Sequence, residues 1–399
     1  HRNVVAMIAF KALRGATVGG FLALLPIYMA SLGYGMDMIG GAIAAASLAL
    51  SLLLPSVGYL IEVLGSRVMV AFAGVILALA PLLPAYTSLL PLLALSYGLL
   101  LASFFMGQPA RMTFLARSVR GERLGSVIGI VSSAMSASRL VGPTLAGFAA
   151  EILGYREAFL ILAALAAAGL VAFMVLSVDP EGERRGAKGS LLKAYARALK
   201  PSRGFTVILG FVALDRISWS LWFPMLSAFL YLRGLSEAEV GMLMSLMGVT
   251  RTVGLPIAGR LTDAVGAWVG IAASEGLGVL GVLALAFPSA MPVLIAAVAL
   301  LGFSIALWIP AYNTLIARVA GGRLGEAYAV ANSVRSLAGA PAPYIGGVIY
   351  EALAPIAPFM ASAMLLALAS AIAATKIRSV EARCAVAPGE RVVEEPPIR

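Results

Sequence analysis

Eight charged residues stand inside otherwise apolar segments of this 399-residue chain: Arg14, Arg111, Arg139, Asp215, Arg216, Arg251, Glu275 and Arg335. A charge placed in hydrocarbon is unfavourable by roughly 2.5–3.5 kcal/mol even on lenient scales, so each needs a partner or a task. Six arginines face two acids, a balance that argues against a purely cationic ligand. Arg14 and Asp215 share a context, Ala12-Leu13-Arg14 and Ala213-Leu214-Asp215, at an offset of 201. Two readings of that pair stand side by side. In one, Asp215 carries a proton while Arg14 or Arg216 senses its charge or holds an anion. In the other, Arg14 and Asp215 form a fixed ion pair. Gln108, Trp219, Trp222, Trp308, Tyr312 and Asn313 add polar and aromatic groups, and aromatic faces suit amphipathic or cationic solutes. Glu275 is expected to be a structural partner for an arginine, and Arg111 to snorkel. One His and one Cys exclude a histidine metal cluster and an internal disulfide framework. The chain has no His-Glu-x-x-His and no Gly-x-x-x-x-Gly-Lys-Ser/Thr, so neither a zinc hydrolase nor an ATP-driven pump is expected. The expectation is a protein that is not an enzyme and has neither metal nor cofactor.

The elements that must position these residues follow from composition. Hydrophobic residues make up 61% of the chain and charged residues 12%, against roughly 25% charged in soluble domains. Residues 15–36, 38–61, 158–178 and 352–375 carry no charge, and each can cross a bilayer as a helix of roughly 20 residues. The runs do not alternate as barrel strands do. The pattern predicts an all-α membrane protein with twelve transmembrane helices. Pairs at an offset of 201 include Pro55/Pro256, Gly58/Gly259, Leu60/Leu261, Glu62/Asp263 and Gly65/Gly266; after a slip of one, Pro143/Pro343, Gly147/Gly347 and Glu151/Glu351 follow at 200. Such long register means two copies of a half-protein. The predicted organisation is a six-helix bundle over 1–178, a basic linker over 179–203, a second bundle over 204–377 and a loose tail over 378–399. An even number of helices per copy makes the two bundles parallel and pseudo-symmetric. Arginines and lysines gather in the linker and in the loops on one side. That excess places the linker and both termini in the cytoplasm, in a multi-pass protein of the cytoplasmic membrane. The charge of +10 is that of membrane loops and not of a nucleic-acid groove.

Two parallel six-helix copies with a cytoplasmic linker resemble the major facilitator superfamily of secondary transporters, and the resemblance covers nearly the whole chain. The superfamily's loop motif between helices 2 and 3 is matched by Gly58, Leu60, Glu62, Gly65 and Arg67, and again by Gly259, Leu261, Asp263 and Gly266. Glu stands for the usual Asp, and Val63 and Ala267 depart from basic positions. The resemblance implies a latch: glycines turn the chain, and the acid pairs with basic groups of a neighbouring helix. Gly129, Ser138, Gly142, Pro143, Ala146 and Gly147 are similar to the helix-5 motif of the antiporters, with plain helix packing as the other reading. Gly154-Tyr155-Arg156 and Phe159 resemble the start of helix 6. Helices 1, 4, 7 and 10 of the superfamily line a central cavity. That implies substrate binding or proton coupling by Arg14, Asp215, Arg216, Gln108, Trp219, Trp222, Trp308, Tyr312 and Asn313. Gating is implied for Gly58, Glu62, Gly65, Arg67, Gly259, Asp263, Gly266, Arg139, Gly142, Pro143 and Arg335. The implied function is proton-coupled efflux of a small organic solute by alternating access, in the drug-efflux, antiporter-like branch. An organic-anion, organophosphate or metabolite exchanger, an uptake symporter, and a non-transporting receptor are the alternatives. The expected partners are the small-molecule substrate, protons and the lipid bilayer, with no nucleic acid, and the expected state is a monomer.

Overall fold

Peptide groups in hydrocarbon have no water to bond, so spanning segments coil into helices that satisfy themselves. The computed structural model describes residues 2–53, 64–119, 124–180, 203–287, 290–320 and 324–386, and among them all regular structure is helical. Gly58, Glu62, most of the linker and residues 387–399 lie outside the described residues. Nine described helices are long and apolar enough to cross a membrane. Met36–Leu53, Leu124–Leu153 and the pair Leu324–Gly339 and Ala342–Ala352 bring the spans to the expected twelve.

Two spans are broken where continuous helices were expected. The seventh runs Arg203–Ser220, unwinds at Leu221 and Trp222, passes a 3-10 turn at Phe223–Met225 and resumes as Leu226–Leu232. Pro224 lacks the N–H that would continue the ladder. The eleventh span stops at Gly339 and restarts at Ala342, around Pro341 and Pro343. The restarted eleventh span packs against the break in the seventh: a Cβ at Gly346 would strike the carbonyl of Leu221.

The chain past the twelfth span departs from the loose tail expected there. Arg378–Val386 is helical. The carboxylate of Glu381 accepts from the amides of Ala267 (3.0 Å) and Trp268 (2.8 Å) and pairs with Arg318. An anion on the first amides of a helix is held by their partial positive charge. That anchor docks 378–386 under the ninth and tenth spans.

Small residues bring helices close in lipid, and the fifth span shows it. Gly15, Gly20 and Gly142 let it lie against the first span, backbone to backbone. On its other flank Pro143 and Gly147 meet Gly241 and Glu237 of the eighth span, across the boundary between the halves. The second span meets the eleventh in the same way, at Gly40 with Pro343 and at Gly347 with Met36. Both contacts lie toward the face opposite the termini, here called the far face. Hydrogen bonds join the halves from mid-membrane to that face. Thr144 Oγ1 and Ser245 Oγ are 2.7 Å apart in the middle. At the far face the amide of Met36 donates to Glu351 (2.7 Å), that of Ala238 donates to Glu151 (3.1 Å), and the Tyr155 hydroxyl donates to Glu237.

Candidate functional site

A cavity of about 220 Å³ lies between the halves. Its wall carries Arg139 from the fifth span, Arg216 from the seventh and Arg251 from the eighth, with Tyr97, Trp219 and Phe223 beside them. Among the described residues no acidic side chain lines it. The Arg216 side chain sits at membrane depth yet remains exposed, because it opens into this space. Ser220, Phe223 and Pro224, which flank the break in the seventh span, form part of the wall. Discontinuous helices frame midplane sites in transporters for the reason seen here: irregular backbone is tolerated where it borders a cavity.

Behind that wall lies an acid cluster. Asp215 is 1% exposed and accepts a hydrogen bond from Arg335 at 3.3 Å. Arg14 is therefore not its partner, contrary to the fixed-pair reading. The repeat explains the exchange of partners. Arg14 meets Met135 Sδ at 3.9 Å, and Met135 is the residue 200 positions before Arg335. The same geometric pair is Arg–Met in one half and Asp–Arg in the other. Arg335 lies over Trp308 at 4.1 Å, and Trp308 stacks on Tyr312 at 4.4 Å. Glu275 from the ninth span faces Asp215 within hydrogen-bond reach of its carboxyl, is fully buried, and has no N–H or hydroxyl donor on either oxygen among the described residues. Its expected role as a plain arginine partner thus gives way to a carboxyl pair sharing one close arginine.

The first half holds the opposite arrangement. Lys11, Arg14 and Arg111 are all buried and within electrostatic reach of one another. Arg111 does not snorkel. It is fully buried and donates to Gln108 at 3.1 Å, and Gly107 leaves room for its guanidinium. Nitrogens of both Arg14 and Arg111 lack acceptors among the described residues.

Several expected cavity residues stand elsewhere. Trp222 is buried and donates to Ser362 at 2.9 Å, fastening the seventh span to the twelfth. Gln108 serves Arg111, and Asn313 accepts from the Tyr328 hydroxyl at 3.2 Å. Of the nine residues assigned to binding or coupling, Arg216 and Trp219 reach the cavity. Arg139 and Pro143, assigned to gating, also line it. Gly65 and Gly266 have φ of 89° and 96°, a conformation that suits glycine at these loops. Arg67 bonds Ser177 (2.9 Å), Met174 and Asp179, all in its own half. Asp263 is exposed and makes no ion pair among the described residues. Arg251, expected on the eighth span where the halves meet and a candidate for gating, lines the cavity with Arg139. Sequence reasoning assigned no role to Tyr97, Glu151 or Glu351. The in-register Glu151/Glu351 pair and the Ser236-Glu239 capping box that starts the eighth span were the available signals.

Two six-helix halves around a midplane cavity, with one span broken beside it, are the architecture that secondary transporters use. The profile of the Major Facilitator Superfamily matches residues 8–340 and 208–393, and the chain belongs to that superfamily. It is 27% identical over 267 residues to the multi-drug resistance efflux pump PmrA of Streptococcus pneumoniae, a match spanning 64% of this chain and 65% of the relative. It is 25% identical over 351 residues to the PmrA homolog of Lactococcus lactis subsp. lactis, spanning 84% of this chain and 85% of the relative. Among solved structures, nucleoside transporter NupG superposes with a TM-score of 0.77 at 14% identity, over 95% of this chain and 99% of that one. A POT family transporter in complex with a thioalcohol-conjugated peptide gives 0.76 at 13%, over 95% and 96%. At such identity these two structures speak for the fold alone.

Proposed function

We propose that this protein is a proton-coupled efflux antiporter for small organic solutes, working by alternating access with both termini in the cytoplasm. The observation that carries the coupling is the buried pair Asp215–Glu275 beside Arg335. Two carboxyls and one guanidinium reach neutrality when the pair holds one proton. Leaving both acids charged in a site without donors for Glu275 costs several kcal/mol, on the order of the penalty for any unpaired buried ion. Arg216 and Tyr312 also face Asp215. The first of these opens to the cavity, where water and solute screen it. Proton and solute thus occupy adjacent places: the acid pair behind the wall, the solute in front.

Alternating access gives the far-face contacts their role. The halves meet through Glu151, Glu351 and the fifth, eighth, second and eleventh spans. With that face joined, access to the cavity is assigned to the termini side. The loops at Gly65 and Gly266 then act in the other state, when the termini side closes. The PmrA relatives are named as efflux pumps, which supports the outward direction.

The test is reconstitution into liposomes holding a pH-sensitive dye. Addition of a transported solute moves protons in the wild type. Asp215→Asn and Glu275→Gln abolish that proton movement while solute counterflow persists, because the neutral side chains mimic the protonated pair. Persistence of solute-driven proton movement in the double variant refutes the coupling assignment.

A further inference from the structure

Of the three cavity arginines only Arg216 has an acid within electrostatic reach among the described residues, Asp215 behind the wall, and the two form no ion pair. Arg139, Arg216 and Arg251 form no ion pair among the described residues, and the wall they share holds no carboxylate. The positive field continues past the cavity. Arg139 is within electrostatic reach of Arg251 on one side and of Arg14 on the other, and Arg14 in turn of Arg111 and Lys11. Seven buried or cavity-facing cations therefore stand against two acids, Asp215 and Glu275, and both acids lie behind the wall with Arg335. Like charges collected in a low-dielectric site repel one another strongly unless an anion enters. The remaining wall is apolar and aromatic, through Trp219, Phe223, Met244 and Met247, with the Tyr97 hydroxyl as a further polar group.

We propose that the cavity is an organic-anion site: it binds the carboxylate, sulfonate or phosphate of an aromatic solute between Arg139, Arg216 and Arg251, with the ring against Trp219 and Phe223. This rests on the transporter reading above and names its substrate class. Planar guanidinium forks match such anions geometrically and charge for charge. Exchange of an outgoing anion for an incoming proton also moves charge down an inside-negative potential, so the class fits efflux energetically.

The test uses three probes of one shape: 1-naphthoate, 1-naphthalenemethanol and 1-naphthylmethylammonium. Their binding is followed by tryptophan fluorescence in nanodiscs of phosphatidylcholine. Naphthoate is expected to bind at least tenfold more tightly than the alcohol, and the ammonium weakest. Each of Arg139→Gln, Arg216→Gln and Arg251→Gln weakens naphthoate roughly tenfold or more, the worth of one charge-assisted hydrogen bond, and changes the alcohol little. Arg216→Lys recovers part of the loss through its charge, without the planar fork, which separates loss of charge from misfolding. Equal or tighter binding of the alcohol or the ammonium overturns the proposal. So does a parallel loss of all probes in the glutamine variants, failure of all three probes to bind, or displacement of naphthoate by phosphatidylglycerol at equal affinity, which gives the site to a lipid headgroup. Proton movement is read in the liposome assay and anion binding in the nanodiscs. An error in the coupling assignment therefore shows in proton movement, and an error in the substrate class shows in binding.

Discussion

Removing the far-face carboxylates tests the closure directly. Glu151 and Glu351 occupy equivalent places in the repeat, and each caps the first amides of a helix in the opposite half, at Ala238 and Met36. A side-chain acceptor on such amides stabilises by about 1 kcal/mol, part of it from the helix dipole. Both carboxylates are exposed, which keeps each at that modest level. The caps share no partner, so their effects add, to about 2 kcal/mol. At 1.4 kcal/mol per tenfold, one Glu→Ala change shifts the open-to-closed ratio of the far face about fivefold, and both together about 30-fold. Spin labels at Leu153→Cys and Leu353→Cys, with Cys384→Ser, report the separation of the halves. Both sites are exposed on that face, at 55% and 75%. The double variant Glu151→Ala, Glu351→Ala gains a long-distance population that the parent shows weakly. Glu→Gln gives a smaller gain, since the amide oxygen still accepts a hydrogen bond. An unchanged distance distribution in the double alanine variant refutes the reasoning, because the caps then contribute nothing to closure.

Three further outcomes follow from contacts elsewhere. Gly346→Ala drives a methyl group into the Leu221 carbonyl, where the backbone has little room to yield. Overpacking of about 1–3 kcal/mol lowers the melting temperature of the purified protein. Glu381→Ala frees the amides of Ala267 and Trp268 and leaves Arg318 without its carboxylate. Limited proteolysis is then expected to clip the helix beyond Arg378, which the parent protects. Thr144→Val removes the mid-membrane hydrogen bonds to Ser245 without changing shape. It accelerates solute exchange if the fifth and eighth spans slide there during the cycle, read as counterflow rate; an unchanged rate shows that this contact does not move.

Much of the architecture was legible because hydrocarbon tolerates so few solutions. Charge-free runs long enough to cross, and a register kept from Pro55/Pro256 to Glu151/Glu351, dictate twelve helices in two copies. The charged residues were equally conspicuous, since each stands against the cost of its surroundings. Partner choice was not legible. Arg14 and Asp215 match in register, but register says which positions are equivalent and not which ones touch. Asp215 meets Arg335 because the seventh and eleventh spans of one half pack together, and that is a property of the bundle. The aromatic residues failed for a related reason. Trp219 and Trp222 are three positions apart on one span, yet the break at Leu221 sends one to the cavity and the other to Ser362.

Sequence by itself determined the class of protein, the repeat and the list of charges that demand a purpose, because these depend on composition and spacing along one chain. Only the tertiary structure decided how those charges are shared out. It sets the acids Asp215 and Glu275 behind the wall with Arg335, and leaves Arg139, Arg216 and Arg251 around a cavity whose described wall holds no carboxylate. Electrostatic energy depends on distance in space and on local dielectric, and neither is a property of position in the chain.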